Sequence, residues 1–127
     1  MRAIDVAGVA LGAGVGGALR FVIGAWLLAR WEHGYPWHTF AINITGAFLL
    51  GVLAAVSIDR GLVGQSWQLL LGAGLLGGFT TFSTFSFETL TLLTQGRVVP
   101  GLLYAGVSTV LGVAAAGLGL LLGRTLG

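Results

Sequence analysis

The sequence predicts an all-α membrane protein with four transmembrane helices per subunit, the third of them broken near its middle. Two observations predict it. First, of 127 residues, 56% are hydrophobic and only 8% are charged, whereas a soluble domain carries roughly 25% charged residues. Second, the apolar residues fall in four stretches, each long enough to supply the about 20 residues that a spanning helix needs. The mean hydropathy of +0.97 agrees. Residues 1–127 read as a single four-helix transmembrane domain, integral and multi-pass, with membrane lipid as its solvent.

The first span is expected from about Val6 to Leu28. It is too long for the apolar core of a cleavable signal peptide, and no charge-rich mature domain follows it. The second is expected from about His38 to Ile58, the third from about Trp67 to Leu93, and the fourth from about Val98 to Leu122. Between them lie "RWEHGYPWH" (30–38), "DRGLVGQS" (59–66) and "QGRVVPG" (95–101), which carry Gly and Pro turn signals. Trp31, Trp37 and Trp67 fall at span ends, where interfacial aromatics belong. Connections this short make neighbouring helices antiparallel and put both termini on one side.

The third span is long for one crossing. A continuous helix from Trp67 to Leu93 reaches about 40 Å, against a hydrocarbon core of about 30 Å. Tilt absorbs such an excess, and so does a break. The place for a break is "GAGLLGG" (72–78), with four glycines, followed by the β-branched Thr80 and Thr81. Carbonyls freed by a break need partners inside the protein or a water-lined cavity, and broken helices often use them to hold a cation. Alternatively, Thr80 and Thr81 back-bond within an intact helix.

Charge excludes several classes. The chain has no Cys, so thiolate and Cys-based metal chemistry are out. All six basic residues are Arg, scattered singly, so no nucleic-acid surface is indicated. Arg2, Arg60 and Arg124 lie on the side of the termini, Arg30 and Arg97 on the other. Orientation follows an excess of Lys and Arg in cytoplasmic loops, and three against two is almost none. A weak preference and insertion in both orientations both remain open on charge alone.

Polar residues recur in the half of the membrane away from the termini. Arg20 lies in the first span, Asn43 in the second, Glu88 in the third, Tyr104 and Ser108 in the fourth. Each has an ordinary reading. Arg20 snorkels, Asn43 bonds a neighbouring helix, Glu88 sits at the interface or pairs with an Arg, and Tyr104 joins an aromatic belt. A central Arg costs about 2.5–3.5 kcal/mol to insert, and shared depth in four spans points to a lined polar cavity. Gly8, Gly12 and Gly16 make a small-residue ridge for close helix contact, within the chain or with another copy. An inverted second copy would place a second polar layer in the opposite half, completing a crossing.

The stretch "GGFTTFSTFSFE" (77–88) carries the most chemistry. Phe79, Phe82 and Phe85 recur at three-residue steps, and Thr80, Thr81, Ser83, Thr84 and Ser86 supply hydroxyls. A Phe stripe is commonly packing. A ring edge is nonetheless partly positive, and ring edges among hydroxyl and amide donors suit a small, strongly hydrated anion. Weak repeated donors let an ion leave where full charges would trap it.

With these residues the sequence resembles the Fluc (CrcB-type) fluoride ion channels. Besides the third-span run, "GVGGALRF" (14–21), "PWHTFAINITGAFLLG" (36–51) and "YAGVS" (104–108) match in order and spacing. The resemblance covers essentially the whole chain. It implies an antiparallel, dual-topology homodimer in a bacterial-type inner membrane, with two fluoride pores and a central structural Na⁺. It implies passive exit of cytoplasmic fluoride down its gradient. By position, Phe82 and Phe85 resemble the aromatic box, and Asn43 the pore asparagine. Thr39, Ser83, Thr84, Tyr104 and Ser108 resemble hydroxyls of the pore lining. Carbonyls of Gly77 and Thr80 resemble the Na⁺ site. Arg20 and Glu88 resemble charges of the vestibule or the pore mouth. Phe79 and Phe87 stand where other members vary.

The residues bear on two alternatives. A small dual-topology multidrug-type exporter needs a membrane carboxylate in its first span, and here that span offers Arg20, with Asp5 only at its end. A structural helix bundle predicts that polar substitutions in spans two to four are tolerated. No catalytic dyad, metal cluster or phosphate loop suggests an enzyme.

Overall fold

The computed structural model describes residues 1–31 and 34–126, so Glu32 and His33 of the first loop lie outside the described residues. In chain order the helices are α1 (Ala3–Arg30), α2 (Trp37–Ala54), α3 (Gln65–Gln68), α4 (Gly77–Phe79), α5 (Phe82–Thr94) and α6 (Val98–Thr125). Wider π-helical turns continue α2 through Ala55–Asp59 and join α3 to α4 through Leu69–Leu76. Among the described residues four segments are long and apolar enough to cross a membrane: Ala3–Arg30, Trp37–Asp59, Gln65–Thr94 and Val98–Thr125. Each begins and ends within a few residues of the sequence expectation. Trp31, Trp37 and Trp67 are exposed at span ends, and Arg30 lies over the Trp26 ring, 4.1 Å from its centroid.

Two tight seams hold the bundle: α1 against the first half of the third span, and α2 against α6. Between lipid-soluble helices there is little hydrophobic driving force, so association rests on close packing of small residues. Gly16 shows how close the packing is. A Cβ there would meet the Leu75 carbonyl and stand 2.9 Å from the Phe79 nitrogen. From the facing side, a Cβ at Gly78 would stand 2.8 Å from Ala13 Cα. Backbone thus lies on backbone, and within one chain the Gly12–Gly16 ridge is taken up by the third span.

The glycine run 72–78 itself stays helical, because it forms the floor of that seam. Helical geometry is lost two residues past the run, at Thr80. Thr80 (φ −88°, ψ 159°) and Thr81 (φ −149°, ψ 117°) are both extended, and α5 begins at Phe82. Of the two threonines, Thr80 back-bonds, its Oγ1 donating to the Leu76 carbonyl at 3.0 Å. Thr81 instead caps α5, its Oγ1 accepting the Thr84 N–H at 3.2 Å.

The loops are fastened at both ends. On the side of the termini, the Ser66 hydroxyl donates to Asp5 at 3.1 Å and Arg124 pairs with Asp59 at 2.8 Å. On the other side the Arg97 guanidinium donates to the Gly34 carbonyl, and the Tyr35 hydroxyl donates to the Pro100 carbonyl at 3.4 Å. Burial pushes the Tyr35 phenol up, against the opposing pull of the Arg97 charge, so it stays a donor at neutral pH.

Candidate functional site

Asn43, on α2, engages the extended backbone of Thr81 with both amide atoms. Its Nδ2 donates to the Thr81 carbonyl at 3.1 Å, and its Oδ1 accepts the Thr81 N–H at 2.8 Å. In an uninterrupted helix the Thr81 N–H would bond the Gly77 carbonyl, and the Thr84 N–H the Thr80 carbonyl. Here Asn43 takes the first donor and Thr81 Oγ1 takes the second. The Gly77 and Thr80 carbonyls therefore lose their helical partners at one place. Just upstream, Arg20 Nε donates to the Gly78 carbonyl at 3.1 Å. Arg20 is thus tied through Nε to the turn that precedes the interruption.

A second polar cluster sits toward the Tyr35 loop. Glu88 on α5 accepts from Thr39 Oγ1 at 3.0 Å and from Tyr104 Oη at 2.8 Å. His38 Nε2 stands 3.5 Å from the same Glu88 oxygen as Thr39. Thr39 and Tyr104 are buried. Among the described residues the partners of Glu88 come from α2 and α6, and none is an arginine. Ser108, one turn along α6 from Tyr104, is buried, with its hydroxyl lacking a partner among the described residues.

Aromatic rings connect the clusters. The Phe82 and Phe85 centroids lie 6.0 Å apart, and Phe85 lies 5.2 Å from Tyr104. Phe82 is 79% exposed at the surface of a single chain. A groove of about 320 Å³ runs along the seam of α2 and the third span, past Asn43, Gly77, Thr80, Thr81, Phe82 and Phe85. On the opposite side of Thr81, a groove of about 270 Å³ is lined by Arg20, His38, Thr39 and Thr84 among others. Thr81 borders both.

Of the residues singled out in the sequence, Thr39, Glu88 and Tyr104 come together directly. Asn43 meets the interruption at Thr80 and Thr81, which leaves the Gly77 and Thr80 carbonyls without helical partners, and Phe82 and Phe85 lie side by side. Ser83 is exposed beside Thr81, 3.3 Å between hydroxyl oxygens, and Thr84 accepts from the Thr81 hydroxyl at 3.1 Å. Sequence reasoning missed Thr81 as the centre of this network. The available signal was a Thr immediately before a helical start, with a hydroxyl residue three positions on. It also passed over His38 as an ordinary residue at a helix end.

Four apolar helices, two of them joined through a helix interruption and a carboxylate cluster, define an integral, multi-pass membrane protein with an internal polar seam. Residues 7–120 match the family described as "CrcB-like protein, Camphor Resistance (CrcB)". The chain belongs to the CrcB family. It is 46% identical over 118 residues to a protein of Thermus thermophilus named fluoride-specific ion channel FluC, covering 93% of this chain and 92% of that one. A protein of the same name from Novosphingobium aromaticivorans is 48% identical over 114 residues, covering 88% and 90%. One from Acidobacterium capsulatum is 38% identical over 118 residues, covering 93% and 94%. These named relatives are ion channels rather than enzymes.

Proposed function

We propose that this protein is a fluoride-selective passive channel, built as an antiparallel dual-topology homodimer of one-domain, four-helix subunits with two pores. It lowers cytoplasmic fluoride by letting the ion leave down its gradient, and it is not an enzyme. The name shared by its relatives supports the ion. The observation that carries the reading is the groove past Asn43, Thr80, Thr81, Phe82 and Phe85, lined mainly by apolar groups and ring faces and open along the side of a single chain. Polar backbone facing lipid is costly, and a second copy laid over this face would turn an open groove into a closed route. In that route Phe82 and Phe85 offer ring edges to the anion. Asn43, Thr39, Ser83, Thr84, Tyr104 and Ser108 make its polar lining, and Arg20 and Glu88 set the charge near its mouth.

The residues at the interruption fit a structural Na⁺. Hard cations take oxygen ligands, unwound carbonyls coordinate Na⁺ in broken membrane helices, and the carbonyls of Gly77 and Thr80 have lost their helical donors. Those two carbonyls, with their counterparts in the second copy, would hold the ion. Bound there, Na⁺ would balance carbonyl dipoles brought together at the dimer centre.

Fluoride-loaded liposomes test the reading. Efflux into fluoride-free buffer, followed by electrode, is expected to be fast, and chloride efflux slow. Equal release of both anions, or proton-coupled uptake of a lipophilic cation, would overturn it. Phe82→Ile removes the ring edge and is expected to slow efflux about three- to tenfold; wild-type efflux from this variant would remove the aromatic assignment. For topology, a membrane-impermeant label on a terminal cysteine is expected to reach about half of the molecules. Labelling of nearly all or nearly none would exclude dual insertion.

A further inference from the structure

The proposed pore accounts for Glu88 but not for the histidine beside it. His38 Nε2 lies 3.5 Å from Glu88 Oε2, and Nδ1 is buried without a partner among the described residues. The carboxylate is therefore the group within the described residues to which the ring answers. The other charged or titratable groups around it are few. Arg20 on α1 lines the same groove, its Nε committed to the Gly78 carbonyl. Tyr104 on α6 reaches the cluster through Glu88, and Tyr35 precedes it in the loop, its hydroxyl on Pro100. Against α1, His38 faces Gly24, which brings no charge.

From this arrangement we infer that His38 is a positioning residue that sets the charge presented by Glu88, making fluoride conduction depend on pH. The inference rests on the fluoride-channel reading. Histidine is the side chain whose charge ordinarily changes between about pH 5 and 8. A neutral ring leaves the Glu88 carboxylate as an unbalanced negative charge beside an anion route, and it repels the permeant ion. A protonated ring cancels that field at close range, and Thr39 and Tyr104 continue to hold the carboxylate in place. Because the copies are inverted, the effect is expected from either face of the membrane.

The test is electrical recording in planar bilayers with symmetric fluoride, since neutral hydrogen fluoride carries no current. Between about pH 8 and pH 5 the wild-type current is expected to rise roughly three- to fivefold, the scale of one nearby charge gained. His38→Asn is expected to carry current at a level that no longer changes with pH. A flat wild-type profile, or an unchanged pH dependence in His38→Asn, would overturn the inference. A second measurement decides it without current. The His38 ring titration is followed by NMR and identified by its loss in His38→Asn. It is expected to move when Glu88→Gln removes the charge, and the same midpoint in both proteins would overturn the inference. Absence of fluoride current at every pH counts against the channel reading, and the ring titration then judges the His38–Glu88 coupling separately.

Discussion

Asn43→Leu is expected to abolish fluoride efflux, by at least about thirtyfold. Leu matches Asn roughly in size but offers nothing to the Thr81 peptide, which would lose both of its bonds at 2.8 and 3.1 Å. Each buried group left unpaired costs about 1–3 kcal/mol, and every 1.4 kcal/mol is tenfold in rate. The relief open to the chain is to return the Thr81 N–H to the Gly77 carbonyl, which closes the interruption and removes the groove. Asn43→Asp separates the two roles of the amide. It keeps an acceptor for the Thr81 N–H but turns an oxygen on the Thr81 carbonyl, so it is expected to impair efflux as well. Stopped-flow efflux with protein content matched by gel filtration measures both. Near-normal efflux in Asn43→Leu would remove Asn43 and the interruption from the conduction route.

Gly16→Leu is expected to prevent assembly of the folded protein. The first atom of any side chain there meets the Leu75 carbonyl and the Phe79 nitrogen of the facing span. Backbone cannot rotate aside as a side chain can. Overpacking ordinarily costs about 1–3 kcal/mol, and a whole Leu side chain driven into backbone lies at or beyond the top of that range. Gly17→Ala, one residue along, is the control. A Cβ there meets nothing within 4 Å in the single chain, and Ala in a helix gains about 0.5–1 kcal/mol over Gly. Thermal unfolding in detergent, read as loss of the monodisperse peak, is expected to show Gly16→Leu absent or strongly lowered and Gly17→Ala unchanged or raised. A Gly16→Leu protein as stable as wild type would mean that α1 and the third span sit farther apart than described.

What the sequence disclosed, and what it withheld, follows from the range of each interaction. The four spans were legible because a bilayer imposes one local requirement, length and apolarity, on each helix. The glycines of α1 announced close packing but not their partner, since a ridge of small residues fits any backbone of matching curvature. The glycine-rich 72–78 run drew attention as a place to break, yet those residues remain helical because α1 needs them flat. Thr80 and Thr81 part from the helix for a reason that lies 38 residues away, in the amide of Asn43. His38 was passed over on similar grounds: its carboxylate neighbour sits on another helix. Local propensity ranks conformations of a segment. It does not register a donor or acceptor brought in from elsewhere in the fold.

The pair of hydrogen bonds from Asn43 to a single residue also bears on how this protein moves. Sliding the second helix along the third by even one residue would detach both contacts together. The two helices are thereby tied at the depth of Thr81. A change of rotamer at Phe82 or Phe85 leaves both contacts intact and so costs less than any slip between the two helices.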